Sequence, residues 1–341
     1  MYKTSLVITT INKPNKNMRL YDVGCKQKGW DFIVIGDKKT PRNYRLANSV
    51  FISHNQRIKN LNFSNICPHN SYARKNIGYL YAIQNNSKVI IETDDDNKPL
   101  NNFFSDFKLQ SYAQTIEKKN DWLNIYNYFV KRKQQNQIWP RGLPLEKVKK
   151  EKKEKFLEKN YKKNVVIQSL CDGNPDVDAI FRLLKPGIDK VKFIKDKKYF
   201  IAKNTYVPFN SQSTTWFEDA FPLLYLPVTC TFRTTDIWRS LIAQIILNSD
   251  NNCILFQSPT VFQKRNAHNL LKDFESEIPV YLKNKKIIEI LKKIKFYKGK
   301  KNYLKNLLLS YETLVKNKIF RSEELIYLKS WANDYKKANY R

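Results

Sequence analysis

The residues best equipped for chemistry are three consecutive carboxylates, Asp94, Asp95 and Asp96, closing the apolar run VIIET. Carboxylates packed at a strand end repel one another unless a cation offsets their charge. Alternate residues of an extended chain share a face, so Asp94 and Asp96 are expected to converge on one divalent ion while Asp95 points elsewhere. Oxygen ligands with no His or Cys pair nearby favour Mg²⁺ or Mn²⁺ over zinc, and such ions keep positions open for substrate phosphates. The plainer alternative is a solvated acidic turn capping the residues that begin near Pro99. Upstream, Arg74 and Lys75 lie in the first turns of a helix, where cations oppose the dipole unless an anion sits there too. Asp236 begins another helix, with Ile237, Leu241, Ile242 and Ile245 on its apolar face. An acidic residue there is more often a cap than a catalyst. Of the three histidines, His268 lies near Lys264 and Arg265, while His54 and His69 have no supporting context.

The elements that must position these groups alternate. Residues 5–11 read as a buried strand, 16–28 as a helix, 31–35 as a strand ending at Gly36 and Asp37, 71–84 as a helix and 88–92 as the strand that runs into the triplet. Strands joined by crossover helices imply a mostly parallel sheet with ligands beyond its C-terminal strand ends. Residues 145–164 turn to Lys and Glu and are expected to form a solvated helix or mobile insertion. Further on, 165–170 is strand-like, 175–184 helical, 190–202 a hairpin turning near Asp196, 225–232 extended, 235–248 helical and 253–257 a strand. Beyond Glu277 the pattern is purely helical, near 285–295, 303–317 and 322–335.

The 341 residues carry 62 Lys and Arg against 31 Asp and Glu, a net charge of +31, and the 42% hydrophobic content excludes a disordered basic tail. The Lys residues are dispersed and no basic-aromatic motif accompanies them, so nucleic acid is not expected as a partner. Five scattered cysteines with no CxxC pair argue against a disulfide scaffold and a zinc ribbon. No apolar run approaches the roughly 18 residues of a membrane span. The opening run is strand-like rather than signal-like, so the cytoplasm is the expected compartment. The Lys-rich helices near the C-terminus look amphipathic and suggest peripheral contact with anionic lipid at the inner face of a membrane; helices packed on the domain with a solvated basic face are the alternative.

The stretch SYARKNIGYLYAIQNNSKVIIETDDDN, residues 71–97, resembles the part of GT-A glycosyltransferases in which an ARN-type helix precedes the strand bearing the Asp-x-Asp motif. More narrowly it resembles the STELLO-type glycosyltransferases and the reversibly glycosylated polypeptides that include UDP-arabinopyranose mutases. VITTIN, WPRGLPLE, LPVTCTFRTTDIWRSLIAQ and QKRNAHNLLKDFESE follow in matching order. The resemblance implies an α/β GT-A nucleotide-diphospho-sugar transferase fold over 1–280, the Lys/Glu-rich insertion included. Residues 281–341 would form a C-terminal helical extension outside it.

The same resemblance implies a metal held by Asp94, Asp96 and His268, and a nucleotide bordered by Thr9, Thr10, Asn12, Asp37, Arg74 and Asp95. Asp236 would be the general base, with Trp238, Arg239 and Arg141 shaping the acceptor or sugar pocket. The implied activity is a Mn²⁺- or Mg²⁺-dependent hexosyl or pentosyl transfer. The donor would be a nucleotide sugar, expected to be a UDP-sugar, the acceptor a glycan or lipid-linked hydroxyl, and direct displacement would invert the anomeric carbon. In the mutase-like relatives the RG-x-P-aromatic Arg takes up the sugar. Here Arg141, Gly142 and Pro144 match, the aromatic is replaced by Leu145, and Thr235 replaces one of two paired acids before the Trp. Both departures favour the transferase, leaving a mutase self-glycosylated at Arg141, or a non-catalytic basic binding protein, as alternatives.

Overall fold

The computed structural model describes residues 2–149, 154–185, 190–264 and 269–339. His268, Arg265 and part of the Lys/Glu-rich stretch lie outside the described residues. The strands are β1 (Thr4–Thr10), β2 (Asp31–Gly36), β3 (Ser49–Ile52), β4 (Val89–Asp94), β5 (Asn97–Pro99), β6 (Gln110–Glu117), β7 (Asp121–Trp122), β8 (Lys155–Lys163), β9 (Val166–Gly173), β10 (Lys198–Ile201), β11 (Thr205–Tyr206), β12 (Ser213–Phe217) and β13 (Ile254–Gln263). The α-helices are α1 (Lys16–Lys28), α2 (Phe63–Ile66), α3 (Lys75–Gln84), α4 (Ala179–Leu184), α5 (Thr235–Ser249), α6 (Leu270–Leu291), α7 (Tyr303–Lys316) and α8 (Glu324–Asn339).

One sheet runs in the order β3-β2-β1-β4-β12-β9-β13-β10-β6-β8, with β5 added against β13. The β3-β2-β1-β4 half is parallel, as expected. The other half is mixed, because β12 inserts antiparallel between β4 and β9. Alternation along the parallel strands feeds two cores, one on each face: Val7, Ile33 and Ile35 pack toward α3, whereas Leu6, Ile8, Phe32 and Val34 pack with Met18 and Tyr21 of α1. Asn15 caps α1 by accepting from the Met18 N–H, and Gly29 ends it in the left-handed conformation.

The first crossover needs a close approach. A Cβ on Gly78 of α3 would stand 2.4 Å from Val7 Cγ1 and 3.1 Å from Ile35 Cγ1. Gly78→Ala is therefore expected to cost about 1–3 kcal/mol of stability through overpacking, measured by denaturant unfolding, and to displace the strand ends that frame the site.

Several expectations are corrected. Residues 155–163 form an edge strand paired antiparallel with β6 instead of a helix or mobile insertion, since β6 supplies the hydrogen-bond partners that the sequence pattern hides. Residues 190–202 do not fold on themselves: β10 pairs with β13 and β6. Residues 225–232 are irregular. The expected boundary near 280 falls inside α6, and Ile287, Leu291, Tyr311 and Trp331 join the same core as α3 and α5. The apolar side of 285–295 is thus used in packing, as the packed alternative required. No helix among the described residues is long and apolar enough to cross a membrane. The five cysteines are free, four of them buried.

Candidate functional site

The C-terminal ends of β1, β2 and β4 open onto a cavity of about 480 Å³. Its lining includes Thr9, Thr10, Asn12, Asp37, Arg74, Asp94, Asp95, Asp96, Arg141 and Asp236, so ten of the singled-out residues converge there. The crossover fold does this: β1 delivers Thr9 and Thr10, β2 ends at Asp37, and β4 carries Asp94 before the chain turns back through Asp95 and Asp96 into β5.

The triplet divides three ways. Asp95 turns to the β1 end, accepting from Thr10 Oγ1 at 2.5 Å and Asn12 Nδ2 at 3.1 Å. Asp94 accepts from Lys75 Nζ at 2.9 Å and Tyr72 Oη at 2.7 Å. Lys75, fully buried, also donates to the Thr93 carbonyl, so it serves as an internal counter-ion to Asp94. Asp96 accepts one bond through Oδ2, from Gln263 Nε2 at 2.7 Å, while its Oδ1 is buried with no partner. Burial, followed by the charges of Asp94 and Asp95, pushes the Asp96 carboxyl up to about 7. A buried carboxylate oxygen that lacks a donor and is crowded by like charge is the environment a hard cation relieves. Among the described residues no three His, Cys, Asp or Glu side chains are grouped to hold a metal, so an ion here would draw further ligands from what binds beside it.

Arg74 donates from Nε to the Gly36 carbonyl at 3.1 Å, and its Nη1 is buried with no partner at the cavity wall. Asp37 accepts from the Ser71 N–H at 3.2 Å, and His69 Nδ1 stands 3.8 Å from it. Burial, then Arg74 and Lys38, lowers the His69 pKa.

On the opposite wall Arg141 lies between two carboxylates. Nε and Nη2 meet Asp176 at 2.8 and 2.7 Å, and Nη1 and Nη2 meet Asp236 at 2.9 Å each. With a further bond from Nη1 to the Arg233 carbonyl, all five guanidinium donors are committed. Gly142 makes the arrangement possible: its φ of +92° suits glycine, and a Cβ would meet Ile237 Cγ2 at 2.7 Å. Asp236 also accepts from the Ile237 and Ser211 N–H groups and from Ser211 Oγ. Burial opposes its ionisation, but the charge and hydrogen bonds of Arg141 outweigh that and hold it at about 2. Arg141 and Ser211 thus engage both oxygens of Asp236, and the expected base lines the cavity as an ionised carboxylate.

Trp238 and Arg239 do not reach the cavity, which corrects their expected place in a sugar pocket. Trp238 Nε1 donates to Asn284 Oδ1 at 2.9 Å, and its ring meets Phe320 edge-on. Arg239 pairs with the buried Glu92 at 2.6 Å over the Trp216 ring. Helix α5 is buried from Thr235 to Asn248, so its apolar pattern does not reveal which positions face a ligand. The residues that sequence reasoning missed are Tyr72, Asp176, Ser211, Gln263, Phe232 and Arg233. The last two were within the quoted TFRTTDIW block, and Gln263 opens QKRN.

The segment that delivers Phe232, Arg233 and Asp236 is held by the C-terminal helices. Glu324 of α8 accepts from the Val228 and Thr229 N–H groups and from Tyr225 Oη, and Glu277 of α6 accepts from Arg233 Nε at 2.7 Å. Buried acids with satisfied oxygens make these helices part of the site's frame.

Residues 233–341 match the model of the STELLO glycosyltransferases. The chain is 26% identical over 271 residues to the probable glycosyltransferase STELLO2 of Arabidopsis thaliana, an alignment covering 75% of this chain and 35% of the relative. It is 25% identical over 293 residues to the probable glycosyltransferase STELLO1 of the same plant, covering 81% and 37% respectively. The chain therefore spans little more than a third of the length of these relatives. The matched region includes the end of α6 and all of α7 and α8, which the resemblance over 1–280 left outside. From Arg233 through the helices that brace it, this chain is similar to the STELLO glycosyltransferases.

Proposed function

We propose that this chain is the core of a glycosyltransferase that moves a sugar from a nucleotide sugar, a UDP-sugar, to a hydroxyl group of a glycan acceptor with the help of Mn²⁺ or Mg²⁺. The observation that carries the reading is Asp96 Oδ1, buried without a partner in a cavity at the C-terminal ends of parallel strands. The similarity to the STELLO glycosyltransferases supports sugar transfer as the reaction class.

In this reading Asp96 holds the cation and Asp94 contributes its free oxygen. Thr9, Thr10, Asn12 and Asp37 border the nucleoside, and Asp95 is held by Thr10 and Asn12 for a ribose or sugar hydroxyl. Arg74 offers its unpaired Nη1 to the nucleotide. Charge building on the departing diphosphate is what such a cation offsets when bound. His268 remains part of the proposed metal site on the strength of the resemblance alone. Arg141, Asp176 and Asp236 form the rigid acceptor wall.

The mutase alternative is disfavoured by the state of Arg141. A guanidinium must lose a proton to attack an anomeric carbon, whereas Asp176 and Asp236 raise its pKa far above the ordinary value and occupy every donor. Calorimetric titration of UDP with and without Mn²⁺ tests the proposal. Binding that requires the metal is expected, and no binding of UDP under either condition would overturn it.

A further inference from the structure

We infer that Phe232 is the stacking platform of an acceptor subsite for a neutral pyranose, an inference that rests on the transferase reading above. Phe232 is 62% exposed, yet it lines the cavity and sits edge-on to Tyr72 with ring centroids 5.2 Å apart. The Tyr72 hydroxyl is bonded to Asp94, so the exposed ring stands one aromatic side chain away from the acidic triplet. Its exposure does not come from a loose loop. Thr231 Oγ1 donates to the Ser276 carbonyl, Arg233 pairs with Glu277, and Thr229 is held by Glu324. Both flanks are fastened to the protein while the ring between them faces solvent at the cavity mouth.

An apolar face fixed beside polar walls fits a sugar ring, which presents C–H groups on one face and hydroxyls around its rim. The local charge decides between neutral and anionic rings. Arg141 and Arg233 on this wall are paired with Asp176, Asp236 and Glu277, and Arg182 donates to Asn174 Oδ1 and the Pro175 carbonyl, so the guanidinium groups of this wall are already engaged within the protein, which favours a neutral ring over a carboxylate or phosphate. The side away from the β1 and β2 ends is thereby assigned to the acceptor.

Saturation-transfer NMR on the full chain with Mg²⁺ and UDP tests this, using the methyl glycosides of glucose, galactose and mannose as neutral probes and methyl glucuronide as the anionic one. At least one neutral probe should receive saturation, methyl glucuronide less, with the signal falling at least fivefold in Phe232→Ala and returning in Phe232→Trp. No saturation of any neutral probe by the wild type, stronger saturation of the glucuronide, or an unchanged signal in Phe232→Ala would overturn the inference. UDP affinity, measured calorimetrically on the same samples, should be the same in both variants. Its absence in the wild type would instead count against the transferase reading.

Discussion

Asp96→Ala is expected to abolish metal-dependent UDP binding and to lower sugar transfer by about 10³-fold, the equivalent of several kcal/mol of charge stabilisation at the leaving diphosphate. The side chain makes one hydrogen bond, to Gln263, and its other oxygen has no partner, so its loss removes little from the fold. The thermal midpoint should therefore stay close to that of the wild type while calorimetry and UDP release both fail. Loss of binding with retained stability separates a ligand from a structural acid. Equal UDP affinity with and without Mn²⁺ in the variant and the wild type would remove Asp96 from the site.

Arg141→Ala is expected to act in the opposite way, through the fold of the acceptor wall. It would leave Asp176 and Asp236, both nearly buried, facing each other with their shared counter-ion gone. Breaking a buried pair in this manner costs about 3–5 kcal/mol, measured by denaturant titration. Arg141→Lys should recover only a minor part, because an ammonium cannot span two carboxylates as the planar guanidinium does. The sign of the acid dependence follows from Asp236. Its folded value, about 2, lies below the ordinary 3.8, so its contribution is complete above the ordinary value and lost as the pH falls through about 2. Arg141→Ala should flatten this rise of stability with pH in that window.

The site was legible in the sequence where local pattern and chemistry coincide. Asp94 to Asp96 were conspicuous because a buried apolar strand ends in like charge, whereas Thr9, Asp37 and Arg74 were singled out through the family resemblance, the βαβ alternation indicating only that ligands lie beyond the strand ends. What was illegible depends on partners far along the chain. Arg239 looked like a pocket residue, but Glu92 lies 147 positions away and accepts its charge in the core. Asp236 has both its oxygens bonded by Arg141, 95 positions earlier, a pairing that no local pattern announces. Strand β8, KFLEKNYKK, is dominated by Lys with no alternation to mark it, and it exists because β6 supplies a ladder. The run 225–232 reads as extended, yet Glu324 of a distant helix captures its N–H groups before any strand can. The C-terminal helices looked like an appendage since their apolar stripes name no partner.

The most direct test of the central claim is incubation of the purified chain with a panel of UDP-hexoses and UDP-pentoses and Mn²⁺, with released UDP quantified. The account predicts that at least one donor yields UDP in a strictly metal-dependent way, with the donor's ring form unchanged and no sugar attached to Arg141. Release from none of them, or a rearranged donor with no UDP released, would contradict it.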